Sequence, residues 1–382
     1  MQGDLNNEPW VSGAMRTTLA GYQAFHPAPL LTSLAYPEAT VIRLTEATAA
    51  VNRLGGASRM VPTPELLIGP YVRLEAILSS RIEGTRTTVG ELLQYEAAGG
   101  DEPTGDMREV TNYVRALNHS VRRLDELPLS NRLIREAHAL LMEGVRGEYA
   151  NPGEFRTTQN WIGAPSSTIN TARFVPPPPD EAKDAMGELE RFLHDRSLPD
   201  LIAIGLAHYQ FETIHPFVDG NGRIGRLLII LMLIERGILS APVLYLSAYF
   251  EEHRQTYYDL LDHTRSTSNP FPWLDFFLTG VTVMATEAEQ RAVRLTDLQH
   301  TVRTRLLDQG ASPTALRLGE LIFDVPYVTA AGIAKRLDVT FPTAQKAIDD
   351  LTRAGLLEET TGRQRNRVYL ATAVRDAAYG DS

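Results

Sequence analysis

Apolar residues recur at helical spacing along most of this chain. Leu201, Ile204, His208 and Phe211 share one face of the stretch from Asp200 to Ile214, which predicts a helix there. Leu227 to Ile234 is an unbroken apolar run closed by Gly237, which predicts a buried central helix with a glycine stop. That run is far too short to cross a membrane. Tyr71, Leu74, Leu78 and Ile82 mark a helix over 70–83, with Gly84 as its C-cap. Residues 107–124 and 130–143 read as amphipathic helices, 273–299 as a further helical stretch, and 45–54 carries alanine-rich helix signals. Pro27 to Pro29, Gly55-Gly56, the loop 97–105 and Ser268 to Pro272 punctuate these runs. Two short β-prone pieces, 157–163 and 171–176, are bounded by Gly, Pro and Ser and predict a hairpin, with Pro176 to Pro179 stiffening its exit as polyproline II. The fold class is therefore mainly α, with a β-hairpin.

The last part, 314–371, is separable. A short helix over 328–337 is followed by a turn in which Thr340 is the N-cap and Pro342 lies in the first helical turn. A second helix runs over 343–354 and stops at Gly355; residues 356–359 and 365–370 then form a hairpin around Thr360-Thr-Gly362. Helix, turn, helix and hairpin in this order resemble a winged helix-turn-helix. The wing carries Arg363, Arg365 and Arg367, yet from Arg291 onward there are only 13 Lys/Arg against 11 Asp/Glu. The second helix offers Gln345 and Lys346 but also Asp349 and Asp350. DNA contact and protein contact are both open for this unit.

The chemistry concentrates between the two central helices, in His215-Pro-Phe-Val-Asp-Gly-Asn-Gly-Arg-Ile-Gly-Arg226. A glycine-rich loop from Gly220 to Gly225 feeding a helix N-terminus offers backbone N–H groups and positive dipole charge to an anion. Gly220 and Gly222 let the backbone approach phosphate closely. Arg223 and Arg226, three apart, can reach around one polyphosphate. Asp219 can hold Mg2+, which shares oxygen ligands with phosphates. His215 can act as a general base. A glycine-rich loop alone is more often a turn than a phosphate site; here the base, the carboxylate and both arginines coincide with it.

These twelve residues resemble the signature of the Fic family (His-x-Phe-x-Asp/Glu-Gly-Asn-Gly-Arg-x-x-Arg), with every fixed position matched. The resemblance implies a helical core that transfers AMP from Mg-ATP to a hydroxyl of a protein, the reaction known as AMPylation. It implies His215 as the catalytic base, Phe217 as the loop's anchor and Asp219 as the Mg2+ ligand. Gly220, Asn221 and Gly222 would form the anion hole, Arg223 would support the phosphates and Arg226 would meet the γ-phosphate. Ile224 and Gly225 belong to the same ATP-binding segment. Ser79 to Gly84 resembles the family's inhibitory motif, Ser/Thr-x-x-x-Glu-Gly/Asn, and implies that Glu83 pairs with Arg226 and blocks productive ATP binding; Ser79 and Gly84 complete that regulatory set. The hairpin over 157–176 resembles the family's flap, whose edge pairs with the protein target by strand addition. Tyr258 is the aromatic assigned to the nucleoside pocket.

Composition narrows the classes. A chain of 382 residues with 43% hydrophobic content buries a normal core and suits several domains. The expected division is 1–125 for an N-terminal helical region with the inhibitory helix, 126–290 for the catalytic core and 291–382 for the winged helix. There is no cysteine, so neither a disulfide nor a thiolate metal site. A net charge of −10 argues against broad nucleic-acid affinity. Residues 1–8 show no basic region followed by an apolar stretch, so a cytoplasmic location is expected. A homodimer and self-modification are compatible with the resemblance. Three competing readings stay open: an AMP-removing relative, a phosphotransferring relative, and a nucleotide-sensing regulator of DNA. Members of the phosphotransferring type carry Lys where this chain has Gly222.

Overall fold

The two most apolar stretches of the chain form its centre. Helix α7 (Asp200–Ile214) is buried at every position from Leu201 onward, and α8 (Asn221–Glu235) is buried along most of its length. Helices apolar all round can only be central, and these two pack against each other. The computed structural model describes residues 10–60, 65–97, 99, 102–145, 151–164, 166–363 and 365–380. The start of the chain, from which a cytoplasmic location is expected, lies outside them.

Around this centre run α1 (Glu38–Met60), α2 (Glu65–Ile82), α3 (Val89–Ala97), α4 (Asp106–Arg123), α5 (Asn131–Leu141) and α6 (Pro179–Leu193). Beyond α8 come α9 (Ser247–Glu252), α10 (Arg254–Thr267) and the 38-residue α11 (Phe271–Asp308). α1 lies along α11, α4 along α5, and α2 against both α4 and α9. The ends follow local chemistry. Ser130 caps α5 by accepting from the N–H of Leu133, Pro179 opens α6, and Ser268 closes α10 in the left-handed region. α2 begins before Pro70, where the sequence pattern places its start. Proline is a first-turn residue by preference, and here it sits inside the helix.

The last unit consists of α12 (Pro313–Leu321), β3 (Tyr327–Val328), α13 (Ala330–Leu337), α14 (Phe341–Arg353), β4 (Glu358–Glu359), β5 (Tyr369–Leu370) and α15 (Thr372–Tyr379). The strands form an antiparallel sheet in the order β3-β5-β4. Thr329 caps α13 and Thr340 caps α14, so the first of these helices starts later than expected and Val328 is strand. α11 runs unbroken through the boundary expected at 290/291, so a helix, not a linker, joins this unit to the core.

A hairpin absent from the sequence reading, β1 (Gly13–Thr17) and β2 (Gln23–Pro27), precedes the helices. Its Phe25 N–H donates to the Val175 carbonyl at 2.9 Å, so it lies against the expected flap. Among the described residues the expected flap is reduced to one antiparallel bridge, Ile162 with Phe174. Among the described residues no helix is long and apolar enough to cross a membrane.

Trp273 is fully buried between α7 and its aromatic neighbours, and its indole N–H donates to the Gly205 carbonyl at 2.9 Å. Trp273→Ala leaves a large cavity and removes the second hydrogen bond to the Gly205 carbonyl. It should destabilise the chain by about 3–5 kcal/mol, read as a lowered unfolding midpoint in urea, with Trp273→Phe losing clearly less.

Candidate active site

The site is built on the turn between α7 and α8. His215 ends α7 with φ 50 and ψ 59, a left-handed conformation that costs a non-glycine residue about 1–2 kcal/mol. Gly220, at φ 77, caps α8 without strain. Asn221 closes the turn: its amide oxygen accepts from the Phe217 N–H and its amide nitrogen donates to the Phe217 carbonyl, both at 2.8 Å. Asn160 donates to the same carbonyl at 2.8 Å. Phe217 is fully buried and stacks on His138 with ring centres 3.8 Å apart. His138 in turn donates from Nε2 to the Asp219 carbonyl (3.0 Å) and accepts at Nδ1 from the Gly153 N–H (2.9 Å). Burial lowers the pKa of His138 to about 4, so it holds the turn as a neutral imidazole.

α8 therefore begins at Asn221, and the segment through Gly225 expected as a loop is its first turn and more. The side chains diverge accordingly. Ile224 is in the core, and Gly225 faces α7, where an added Cβ would run into Glu212 and Phe211. The Gly225 carbonyl accepts from His208 Nδ1 at 2.9 Å. Both residues serve the contact between α7 and α8 and point away from the turn's open side. Gly222 faces that side, and a Cβ there would run into Glu83 Oε1.

Arg223 and Arg226 are both buried. Arg223 donates to Glu109 on α4 at 2.8 Å and lies 3.8 Å from Asp219. Arg226, only 2% exposed, donates from Nε to Ser79 Oγ (2.9 Å) and from one terminal nitrogen to the Ser79 carbonyl (2.8 Å) and to Glu83 Oε1 (2.6 Å). The sequence-predicted Ser79, Glu83 and Arg226 thus meet. Gly84, at φ 106, turns the chain away after α2. Burial works against ionisation of Glu83, but Arg226 and then Arg223 outweigh it and hold the carboxyl below its ordinary range.

Two more carboxyls sit behind Arg226. Glu75 accepts from Tyr113 OH (3.0 Å) and the Ser247 N–H (3.3 Å); Glu212 has an oxygen without a hydrogen-bond partner. Burial pushes each up to about 7. His215 is lowered to about 3, by burial first and then by Arg156 and Arg265, so its ring is neutral at pH 7. Asp219 is exposed beside the turn, with Oδ1 accepting from the Gly220 N–H at 2.6 Å. Among the described residues no group of three or more His, Cys, Asp or Glu could hold a metal alone. One carboxylate fits Mg2+, which keeps waters and shares phosphate oxygens. Tyr258, on α10, lies between the guanidinium groups of Arg173 and Arg254, 5.7 and 5.9 Å from its ring centre. Burial and then Glu83 raise its phenol pKa.

The sequence reading assigned no role to His138, Arg156, Glu109, Asn160 or Glu212. Of these, Asn160 alone falls within the expected flap.

A helical core with a neutral histidine, an exposed carboxylate and two buried arginines about one helix N-terminus defines an anion-handling site. Residues 128–233 match the Fic/DOC family model and residues 41–122 the Fic/DOC family N-terminal model. The chain carries a Fic/DOC family domain preceded by the family's N-terminal region. A protein adenylyltransferase of Caenorhabditis briggsae is 27% identical over 165 residues, covering 41% of this chain and 30% of that protein. A probable protein adenylyltransferase of Aquifex aeolicus is 39% identical over 70 residues, covering 18% of this chain and 22% of that protein. The chain thus matches under a third of the length of these relatives. A crystal structure of a Fic family protein from Desulfovibrio desulfuricans shares the fold, with a TM-score of 0.57 at 21% identity over 88% of this chain and 97% of that one.

The raised Glu212 gives a pH signature. A carboxyl raised from its ordinary value to about 7 contributes stability fully present below the ordinary value and lost as pH rises through 7. Glu212→Gln, which mimics the neutral form, should therefore raise the melting temperature at pH 8 and change it little at pH 4. Equal shifts at both pH values would refute the assignment.

Proposed function

We propose that this chain is a protein adenylyltransferase held inactive by its own Glu83. The observation that carries the reading is the seat of the Glu83 carboxylate. It is bonded to Arg226 and pressed against Gly222 at the N-terminus of α8, where first-turn N–H groups lack intrahelical acceptors. That is an anion's place, and an internal carboxylate fills it.

In the active state Glu83 withdraws and the triphosphate of ATP takes its place. Gly220 and Gly222 admit the phosphates to the backbone, Arg223 supports them and Arg226 meets the γ-phosphate. Asn221 acts through the turn, which its side chain clamps at Phe217. Asp219 would hold Mg2+, which supplies charge neutralisation at the phosphates when bound. The hydroxyl oxygen of a target Ser, Thr or Tyr attacks the α-phosphorus, its proton passes to His215, and the bond to pyrophosphate breaks. Tyr258 lines the nucleoside side. The target lies along the flap, 157–176, and this chain's own hydroxyls are candidates too. Residues 291–382 form a winged helix in this reading: α12, α13 and α14 pack on one another, β3, β5 and β4 form the sheet, and Lys346 is exposed on α14.

The test incubates wild type, Glu83→Gly and Glu83→Gly/His215→Ala with Mg2+ and α-32P-ATP, with γ-32P-ATP in parallel and lysate as target. Label from the α-phosphate should be at least about tenfold stronger in Glu83→Gly than in wild type, as expected when one blocking ion pair is removed, and absent from the double variant. Label from the γ-phosphate alone would mean phosphotransfer. No label from either would overturn the reading and favour the nucleotide-sensing regulator.

A further inference from the structure

Among the functional groups, His215 is the one whose backbone is strained, and a single arginine holds it. Arg156 donates from Nε to the His215 carbonyl at 2.9 Å and from a terminal nitrogen to the Ile214 carbonyl at 3.4 Å. Its own N–H donates to the Pro216 carbonyl at 2.9 Å. The residue before the histidine, the histidine itself and the residue after it are thus all tied to one arginine. The same guanidinium donates to Thr158 at 3.3 Å and to the Pro177 carbonyl, the entry and exit of the flap. Arg156 is 4% exposed, and among the described residues no carboxylate pairs with it. Its charge faces the negative, carbonyl end of the 15-residue α7.

We propose that Arg156 is the positioning residue for His215: it fixes the left-handed turn that aims the imidazole and locks that turn to the flap where the target lies. The proposal rests on the adenylyltransferase reading. The planar fork matters because one side chain must reach carbonyls on both segments at once. The charge matters because it opposes a proton on the nearby imidazole. The other charged groups acting on His215 are Arg265 on α10 and Glu83 after α2, and the backbone of Glu212 on α7 favours the protonated ring by a hydrogen bond.

The experiment uses the full chain in the Glu83→Gly background and compares Arg156→Lys with Arg156→Met. Steady-state kinetics are read beside the His215 ring titration by NMR, assigned with His215→Asn. Arg156→Met should lower kcat by about a hundredfold, the scale expected of misaimed reacting groups. KM for ATP should move by less than about threefold, since no phosphate contact changes. His215 should titrate at higher pH in Arg156→Met, and Arg156→Lys should restore that titration and part of kcat. A fall in kcat with the His215 titration unmoved in both variants overturns the proposal, as does a loss confined to KM for ATP. If Glu83→Gly is itself inactive, the functional reading fails, while the titration still tests Arg156 against His215 alone.

A separate observation concerns α2, which carries the inhibitory end. Its Arg73 is 9% exposed and pairs with Glu96 on α3 (2.9 Å) and with Asp324 after α12 (3.3 Å). Asp324 also reaches Arg336 on α13 at 3.5 Å, and α15 packs on α2. We infer that the C-terminal unit sets how firmly Glu83 is seated, through Arg73 and Asp324. This too rests on Glu83 being inhibitory. Asp324→Asn should raise α-phosphate labelling severalfold when Glu83 is present and leave the Glu83→Gly chain unchanged. Amide exchange over 72–83 should quicken in the same variant. Exchange and labelling both unchanged overturn the inference, as does an equal rise in both backgrounds. If Glu83→Gly is inactive, exchange alone decides.

Discussion

Arg226 is the charge on which the site depends. A guanidinium 2% exposed cannot stand alone, because an unpaired buried ion costs several kcal/mol. Ser79 supplies two neutral acceptors; the opposite charge comes from Glu83. The carboxyls behind it do not replace that charge, since burial keeps Glu75 and Glu212 near half-protonated at pH 7. Withdrawal of Glu83 therefore leaves a cation that needs another anion. In the proposed function inhibition and substrate binding are one exchange: a phosphate takes over the partner that the carboxylate gives up. The same need explains why α2 must be secured elsewhere. Tyr71 on α2 stacks on Tyr245 at 5.5 Å, and Arg291 of α11 lies over both rings. Arg73 adds the ion pairs to Glu96 and Asp324.

Beyond Phe217 the rigidity of the turn comes from neutral groups. Asn221, Asn160 and His138 satisfy the carbonyls and N–H groups of Phe217, Asp219 and Gly153 without placing charge beside the anion site. His208 does the same one layer deeper, donating to Gly225 and accepting from Tyr257 at 2.9 Å each. Fully satisfied polar networks of this kind stiffen a core, and a half-satisfied one is costly. The first-turn N–H groups of α8 are left for an anion because no side chain caps the helix and Asn221 turns back onto Phe217.

Legibility in the sequence followed how local each cause is. α7 appears with its expected ends because its periodicity and flanking residues act within one stretch. The meeting of Ser79 and Glu83 with Arg226 was accessible only through resemblance, since 143 residues separate the carboxylate from its arginine. α8 began earlier than the apolar run suggested because Asn221 bonds back to Phe217, a side-chain decision that hydrophobic patterning does not register. The first hairpin was missed because its strands have little alternation: β1 is mostly exposed, and β2 buries only Ala24 and Phe25. His138 and Arg156 looked ordinary because their importance lies in partners far along the chain.

The low basicity of His215 is tied to the same carboxylate. An imidazole near 3 is neutral at pH 7, the protonation state a base requires, but it binds a proton weakly. Burial, Arg156 and Arg265 depress it, and Glu83 is the one nearby anion that works the other way. In the proposed function Glu83 leaves and a triphosphate enters, so that more negative charge arrives on the same side of the ring. The imidazole then becomes a stronger base in the complex than in the free chain. Proton affinity is thereby supplied with the substrate, and the two arginines keep the ring unprotonated until it is needed.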